Sequence, residues 1–102
     1  MQYMILCTDR PDALELRKAN RAAHLKYIAD AGDKILLAGP CLSDDEEPHP
    51  VGSLLVIEAA SMTAAELFAK NDPYARAGVF ESAKISPFKP VLGNWLKPQE
   101  GD

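Results

Sequence analysis

The chain is short of nearly everything that marks the commoner functional classes. It has two cysteines, Cys7 and Cys41, at no metal-binding spacing such as C-x-x-C; both read as small hydrophobes that stay thiols in a reducing compartment. It has two histidines, His24 and His49, with neither H-x-H nor H-x-x-x-H spacing, so no metal site is expected. There is no glycine-rich phosphate loop, no G-x-S-x-G elbow and no motif pairing a cysteine with a histidine, and no cofactor is indicated. Lys and Arg form no cluster beyond one short helix edge, and the net charge is -4 with a pI near 5.1, which argues against nucleic acid and anionic membrane as partners. No apolar run approaches a membrane span, and Met1 to Cys7 lacks the basic region and apolar length of a secretory signal, so the default expectation is a cytoplasmic protein.

What is present is ordinary for a soluble globular domain. Of 102 residues, 47% are hydrophobic and 25% charged, a balance that argues against disorder. One domain is expected over residues 1–97, with a loose tail over 98–102.

Taken in order, residues 2–8 are apolar or β-favouring on both faces and predict a buried strand. Asp12-Ala13-Leu14-Glu15 reads as a variant capping box opening a helix that runs to about Ala31, with Leu14, Ala22, Leu25, Ile28 and Ala29 on its core side and Gly32 as terminator. A second strand follows over 34–42. The acidic, proline-containing stretch 43–50 is an exposed loop, in which His49 reads as solvated. The third strand is expected over 52–59. Thr63-Ala64-Ala65-Glu66 is a second capping box, opening a helix to about Lys70 with Leu67 and Phe68 as core contacts. Asp72 then caps a short turn with Pro73 at its first position, and 79–88 forms the fourth strand, whose Pro87 belongs at a sheet edge or bulge. Residues 90–96 add a short strand or pack as a tail.

The order β-α-β-β-α-β is the ferredoxin-like pattern: an α+β fold with a four-stranded antiparallel sheet and both main helices on one face. Three of the four strands are apolar on the other face too, which predicts that two subunits cover those faces as a homodimer.

One stretch carries the chemistry. Arg17, Arg21, His24 and Ile28 fall along one edge of the first helix, because residues three and four apart are surface neighbours. Histidine is the side chain whose ordinary pKa lies close to neutrality, so one at the border of an apolar stripe is the first candidate for proton transfer. The other reading of His24 is a partly buried helix histidine with a satisfied hydrogen bond.

The chain also resembles the YCII-related proteins, small members of the wider dimeric α+β barrel group. The resemblance spans nearly the whole chain. It rests on Arg21-Ala22-Ala23-His24-Leu25, Ala38-Gly39-Pro40, Gly52-Ser53, Asp72-Pro73-Tyr74 followed by Ala77-Gly78-Val79-Phe80, and Ile85-Ser86-Pro87-Phe88. Cys41 departs from it, standing where an aliphatic residue or methionine is expected after Gly-Pro. What the resemblance implies is a ferredoxin-like dimer with an active-site pair of His24 and Asp72. A dehydrochlorinase acting on a chlorinated hydroxyquinol is its functional precedent, and muconolactone isomerases are more distant relatives. Beside that pair, Ser53 at a strand start is a candidate ligand donor or a turn residue, Arg21 and Arg17 either orient an anionic substrate or are solvated, and Tyr74 lines the pocket or packs.

Two functions follow from the sequence. One is a cofactor-independent enzyme using His24 and Asp72 for acid–base chemistry, an elimination or isomerisation of a small anionic or phenolic molecule, with Arg21, Ser53 and Tyr74 binding it. The other is a non-catalytic small-molecule-binding or accessory dimeric module.

Overall fold

A computed structural model describes residues 1–96. The sheet is built outward from the first strand, β1 (Gln2–Asp9), where side chains alternate strictly. Tyr3, Ile5, Cys7 and Asp9 are buried on one face, and Met4, Leu6 and Thr8 take the other. Two helical segments follow, α1 (Leu14–Ala19) and α2 (Arg21–Ala31), and then a single 3₁₀ turn (Gly32–Lys34). The remaining elements are β2 (Ile35–Leu42), β3 (Pro50–Glu58), α3 (Met62–Lys70), α4 (Pro73–Arg76) and β4 (Phe80–Pro87). The strands lie in the order β2-β3-β1-β4 and every pair is antiparallel, the ferredoxin-like α+β arrangement expected from the element order. Pro87 falls on an edge strand, where its missing N–H breaks no ladder.

Register decides what faces the helices. Tyr3 pairs with Ile57, Ile5 with Leu55 and Cys7 with Ser53, so these residues share one face. There Ala65 and Ala69 of α3 pack directly on the strands, joined by Ile28 of α2 and Phe68 of α3. Small residues on α3 let its backbone approach the sheet closely. The opposite face carries Met4 and Leu6 of β1, Leu54 and Val56 of β3 and Leu37 of β2, against Ser82, Lys84 and Ser86 of β4.

Several local expectations are corrected. The first helix is not continuous: Asn20 has φ -109° and ψ 7°, and its side-chain Nδ2 donates to Leu16 O at 2.9 Å, beside its own N–H at 3.2 Å. A short polar side chain competing for the carbonyl of the preceding turn is the physical cause of the interruption. The Asp12–Glu15 box does not form; Ala13 stands at the N-cap with no side-chain bond. Of the anticipated core side, Leu14 and Ile28 are half-buried, whereas Ala22, Leu25 and Ala29 are exposed. The stripe turned inward is Arg17, His24, Tyr27 and Ile28.

The second box fails in the same way. Ser61, two residues before Thr63, accepts the Ala64 N–H at 3.1 Å and caps α3. Leu67 is exposed, and Phe68 alone of the expected pair joins the core. The third strand starts at Pro50, two residues early, and 90–96 form no strand. The expected tail over 98–102 lies outside the described residues. No described helix is long and apolar enough to cross a membrane.

Candidate active site

A cavity of about 410 Å³ opens between the α1–α2 segment and the helix-facing side of β2 and β3. Its walls are mostly apolar, with Leu14, Leu25, Ile28, Ala38, Pro40 and Leu55 among them. Arg17, Lys18, Arg21, His24, Ser53 and Tyr74 supply the polar groups. Among the described residues no carboxylate lines it.

His24 comes from the middle of α2 and its side chain is 12% exposed. Asp72 comes from the N-cap of α4 and is 4% exposed. The two meet within one chain, His24 Nδ1 lying 2.8 Å from Asp72 Oδ1. The same Oδ1 accepts the Tyr74 N–H at 2.9 Å, so a single oxygen both caps α4 and faces the histidine; the two jobs are not divided between the two oxygens. Pro73 at the first helical position has no N–H to satisfy, which is why the cap reaches to Tyr74. Asp72 Oδ1 already accepts the Tyr74 N–H and faces Nδ1 as an acceptor, so Nδ1 is the donor of this pair; in the neutral imidazole that tautomer leaves the lone pair on Nε2. Asp72 does not line the cavity and is joined to it through His24 and the Tyr74 N–H.

Tyr74 is buried, and its ring stacks on the imidazole with centroids 4.0 Å apart and planes 13° from parallel. Phe80 meets Tyr74 edge-on at 6.1 Å, and Ala13 and Val79 close the cluster behind it. Burial pushes the Tyr74 phenol up, with the nearby Arg17 charge pulling the other way, so the ring is a neutral wall at physiological pH.

Arg17 is the residue the sequence undervalued. Its side chain is 7% exposed and its partner Asp9, at the end of β1, is 4% exposed. Arg17 Nε donates to Asp9 Oδ2 at 2.9 Å; Nη2 reaches Asp9 Oδ1 at 3.2 Å, Gly52 O at 2.8 Å and Ser53 Oγ at 2.7 Å. Its Cζ lies 4.6 Å from the Tyr74 ring centroid. Burial opposes the charge, but the hydrogen bonds and charge of Asp9 outweigh it, and the guanidinium pKa is raised. A signal was available, since Arg17 precedes His24 by seven residues, two helical turns on the same face. Nothing in the sequence marked Asp9. Arg21, by contrast, is exposed at the cavity rim.

Cys7 lies below this network. Burial, reinforced by the Asp72 and Asp9 carboxylates, pushes its thiol up to about 12, which keeps it protonated and unreactive. Cys41 is also a free thiol and is half-buried. His49 is held within its loop by Ser43 and does not itself line the cavity, although the next residue, Pro50, does.

The model of the YCII-related domain matches residues 1–89. The chain belongs to the YCII-related family. Protein YciI of Escherichia coli is 39% identical over 99 residues, spanning 90% of this chain and all of that relative. An uncharacterized protein of Haemophilus influenzae is 37% identical over 98 residues, with 90% of this chain and all of the relative covered. Among solved structures, the YCII-related chain is similar to the 5-chloro-2-hydroxyhydroquinone dehydrochlorinase TftG of Burkholderia phenoliruptrix, in complex with 2,5-dihydroxybenzoquinone, at TM-score 0.82 and 35% identity over 87% of this chain and 94% of that one. An antibiotic biosynthesis monooxygenase shares the fold alone, at TM-score 0.51 and 10% identity over 89% of this chain and 98% of that one.

Proposed function

We propose that this YCII-related protein is a cofactor-independent acid–base enzyme acting on a small anionic or phenolic molecule, by elimination or isomerisation. The observation that carries the reading is the His24–Asp72 bond, which fixes the imidazole with Nε2 as the available base beside a mostly apolar cavity. In an elimination such as dehydrochlorination, Nε2 takes one proton from the substrate while chloride leaves with the carbon–chlorine electron pair. Asp72 stabilises the imidazolium that results. Arg21, Ser53 and Tyr74 bind the substrate: a cation at the rim, a hydroxyl on the floor and an aromatic wall. The 35% identity to a dehydrochlorinase of the same fold supports this chemistry.

Chloride release from 5-chloro-2-hydroxyhydroquinone and related chlorophenols tests it. A turnover that falls about 10²- to 10⁴-fold in His24→Ala is expected, the usual share of general acid–base catalysis. An undiminished rate in that variant overturns the reading, and binding of 2,5-dihydroxybenzoquinone without turnover of any such compound assigns the cavity to a binding module instead.

The same reading includes a homodimer in a reducing, cytoplasmic setting. The apolar open face spread over β1, β2 and β3 supports two subunits packed sheet against sheet. Light scattering is expected to give twice the 11.1 kDa chain mass, and a stable monomer refutes this part.

A further inference from the structure

The inner wall of the cavity is held by a network that the acid–base pair does not use. Asp9 and Arg17 form a buried ion pair, and such a pair adds little net stability over apolar residues of similar volume. Its placement is informative. Arg17 ties the end of β1 to the start of β3 through Asp9 and Gly52 O, and its remaining contacts are both with cavity residues, Ser53 and Tyr74.

Ser53 Oγ accepts from Arg17 Nη2 at 2.7 Å and is 3% exposed. Among the described residues the one hydrogen bond of its hydroxyl is this acceptance from Arg17, and Ser53 lines the cavity. A hydroxyl has one proton and two lone pairs, so occupation of a lone pair by the guanidinium leaves the proton for whatever enters the cavity. Polarisation by a cation strengthens that donor. The Arg17 guanidinium also lies over the ring of Tyr74, which in turn stacks on His24.

We infer that Arg17 is a positioning residue which, clamped by Asp9, presents the Ser53 hydroxyl as a fixed proton donor to an anionic oxygen of a flat phenolic or enolic ligand and braces Tyr74 against His24. The inference rests on reading the cavity as the acid–base site, and it deepens that reading by naming what holds the substrate's charge. The ligand class follows from the walls: apolar faces at Leu14, Ile28 and Leu55 suit a planar ring, while Lys18 and Arg21 favour net negative charge.

A binding cycle with 2,5-dihydroxybenzoquinone as probe tests this. Affinity is measured for the wild type, Ser53→Ala, Arg17→Lys and the double variant. The lysine ammonium keeps a charge but cannot reproduce the fork that spans Asp9, Gly52 and Ser53. Each single substitution is expected to raise Kd about ten- to a hundredfold, the weight of one hydrogen bond to a charged group. The double variant is expected to bind no worse than the weaker single one, because Arg17 acts through Ser53. A second variant guards against misfolding: Asp9→Leu with Arg17→Met removes the buried pair as a unit, should melt near the wild type, and should lose the same affinity. Losses that multiply in the double variant, unchanged binding in Ser53→Ala, or no probe binding by the wild type each overturn the inference. A purely structural Arg17 lowers the melting temperature without removing the effect of Ser53→Ala. The acid–base reading fails separately, through turnover that persists in His24→Gln, while the cycle is read in binding alone.

Discussion

Asp72 offers the sharpest separation of fold from chemistry, because one of its oxygens serves both. In Asp72→Ala the cap on α4 is lost, worth about 1 kcal/mol, and so is the bond to His24, worth about 1 kcal/mol more. Both abandoned donors, Tyr74 N–H and His24 Nδ1–H, belong to residues largely shielded from water, so solvent does not replace the partner fully. The combined loss of about 2 kcal/mol is a substantial part of the roughly 5–15 kcal/mol that holds a domain of this size, and corresponds to a fall in Tm of about 8–16 °C. Asp72→Asn is different. Asparagine caps a helix as well as aspartate, and its amide oxygen can accept the same two N–H groups, so Tm should stay within a few degrees. Because one oxygen serves both donors, turning the amide NH₂ toward His24 would give up the cap, so the oxygen-facing orientation is expected and Nδ1 keeps its proton. The negative charge is gone, however, and the imidazolium formed when Nε2 takes a proton loses its counter-charge. Turnover should fall at least about 10²-fold while the fold survives. Differential scanning calorimetry, nitrogen NMR of the His24 ring and a chloride-release assay read the three effects. An Asn variant that melts as low as the Ala variant, or that turns over at the wild-type rate, refutes the reasoning.

Other outcomes follow from local geometry. Ser61→Ala should cost about 1 kcal/mol by loss of the α3 cap while Thr63→Ala is close to neutral, a contrast that chemical denaturation resolves. Gly52→Ala drives a Cβ into Cys7 O, a backbone atom that cannot swing aside; it should destabilise by about 1–3 kcal/mol or more and move Gly52 O away from Arg17, seen as lower Tm and weaker ligand binding together. With its thiol pushed up to about 12 and 3% exposed, Cys7 should resist iodoacetamide at pH 8 in the native protein and react on denaturation, as intact-mass spectrometry would show.

Much of this was legible in the residues, for identifiable reasons. Strands β1, β2 and β4 begin and end within about two residues of their apolar runs, because an apolar run bounded by Asp-Arg-Pro or Gly-Pro has few other uses. The Asp72 cap was legible because Asp before Pro meets two independent demands of a helix start. What was misread depended on rotation about a helix axis. Spacing placed Arg17 beside Arg21, yet could not say which rim of the stripe faced the sheet; the Asn20 interruption buried Arg17 and left Arg21 and Leu25 outside. The two capping boxes failed because a pattern of residue types does not choose among neighbouring cap candidates. Ser61 won over Thr63 by having the extended backbone, φ -159° and ψ 167°, that a cap requires.

The strand order has a practical consequence. Cutting the chain in the exposed loop near Asp44–Glu47 separates a half with β1 and β2 from a half with β3 and β4, and in the order β2-β3-β1-β4 neither half owns two adjacent strands. Each fragment is therefore a comb missing alternate teeth, unable to close a sheet until the other slides in. His24 belongs to one comb and Asp72 to the other, as do Arg17 and Ser53. Turnover by such a pair of fragments would report that both had met and interleaved in register, so the protein is a compact template for a split reporter whose signal is the completed fold.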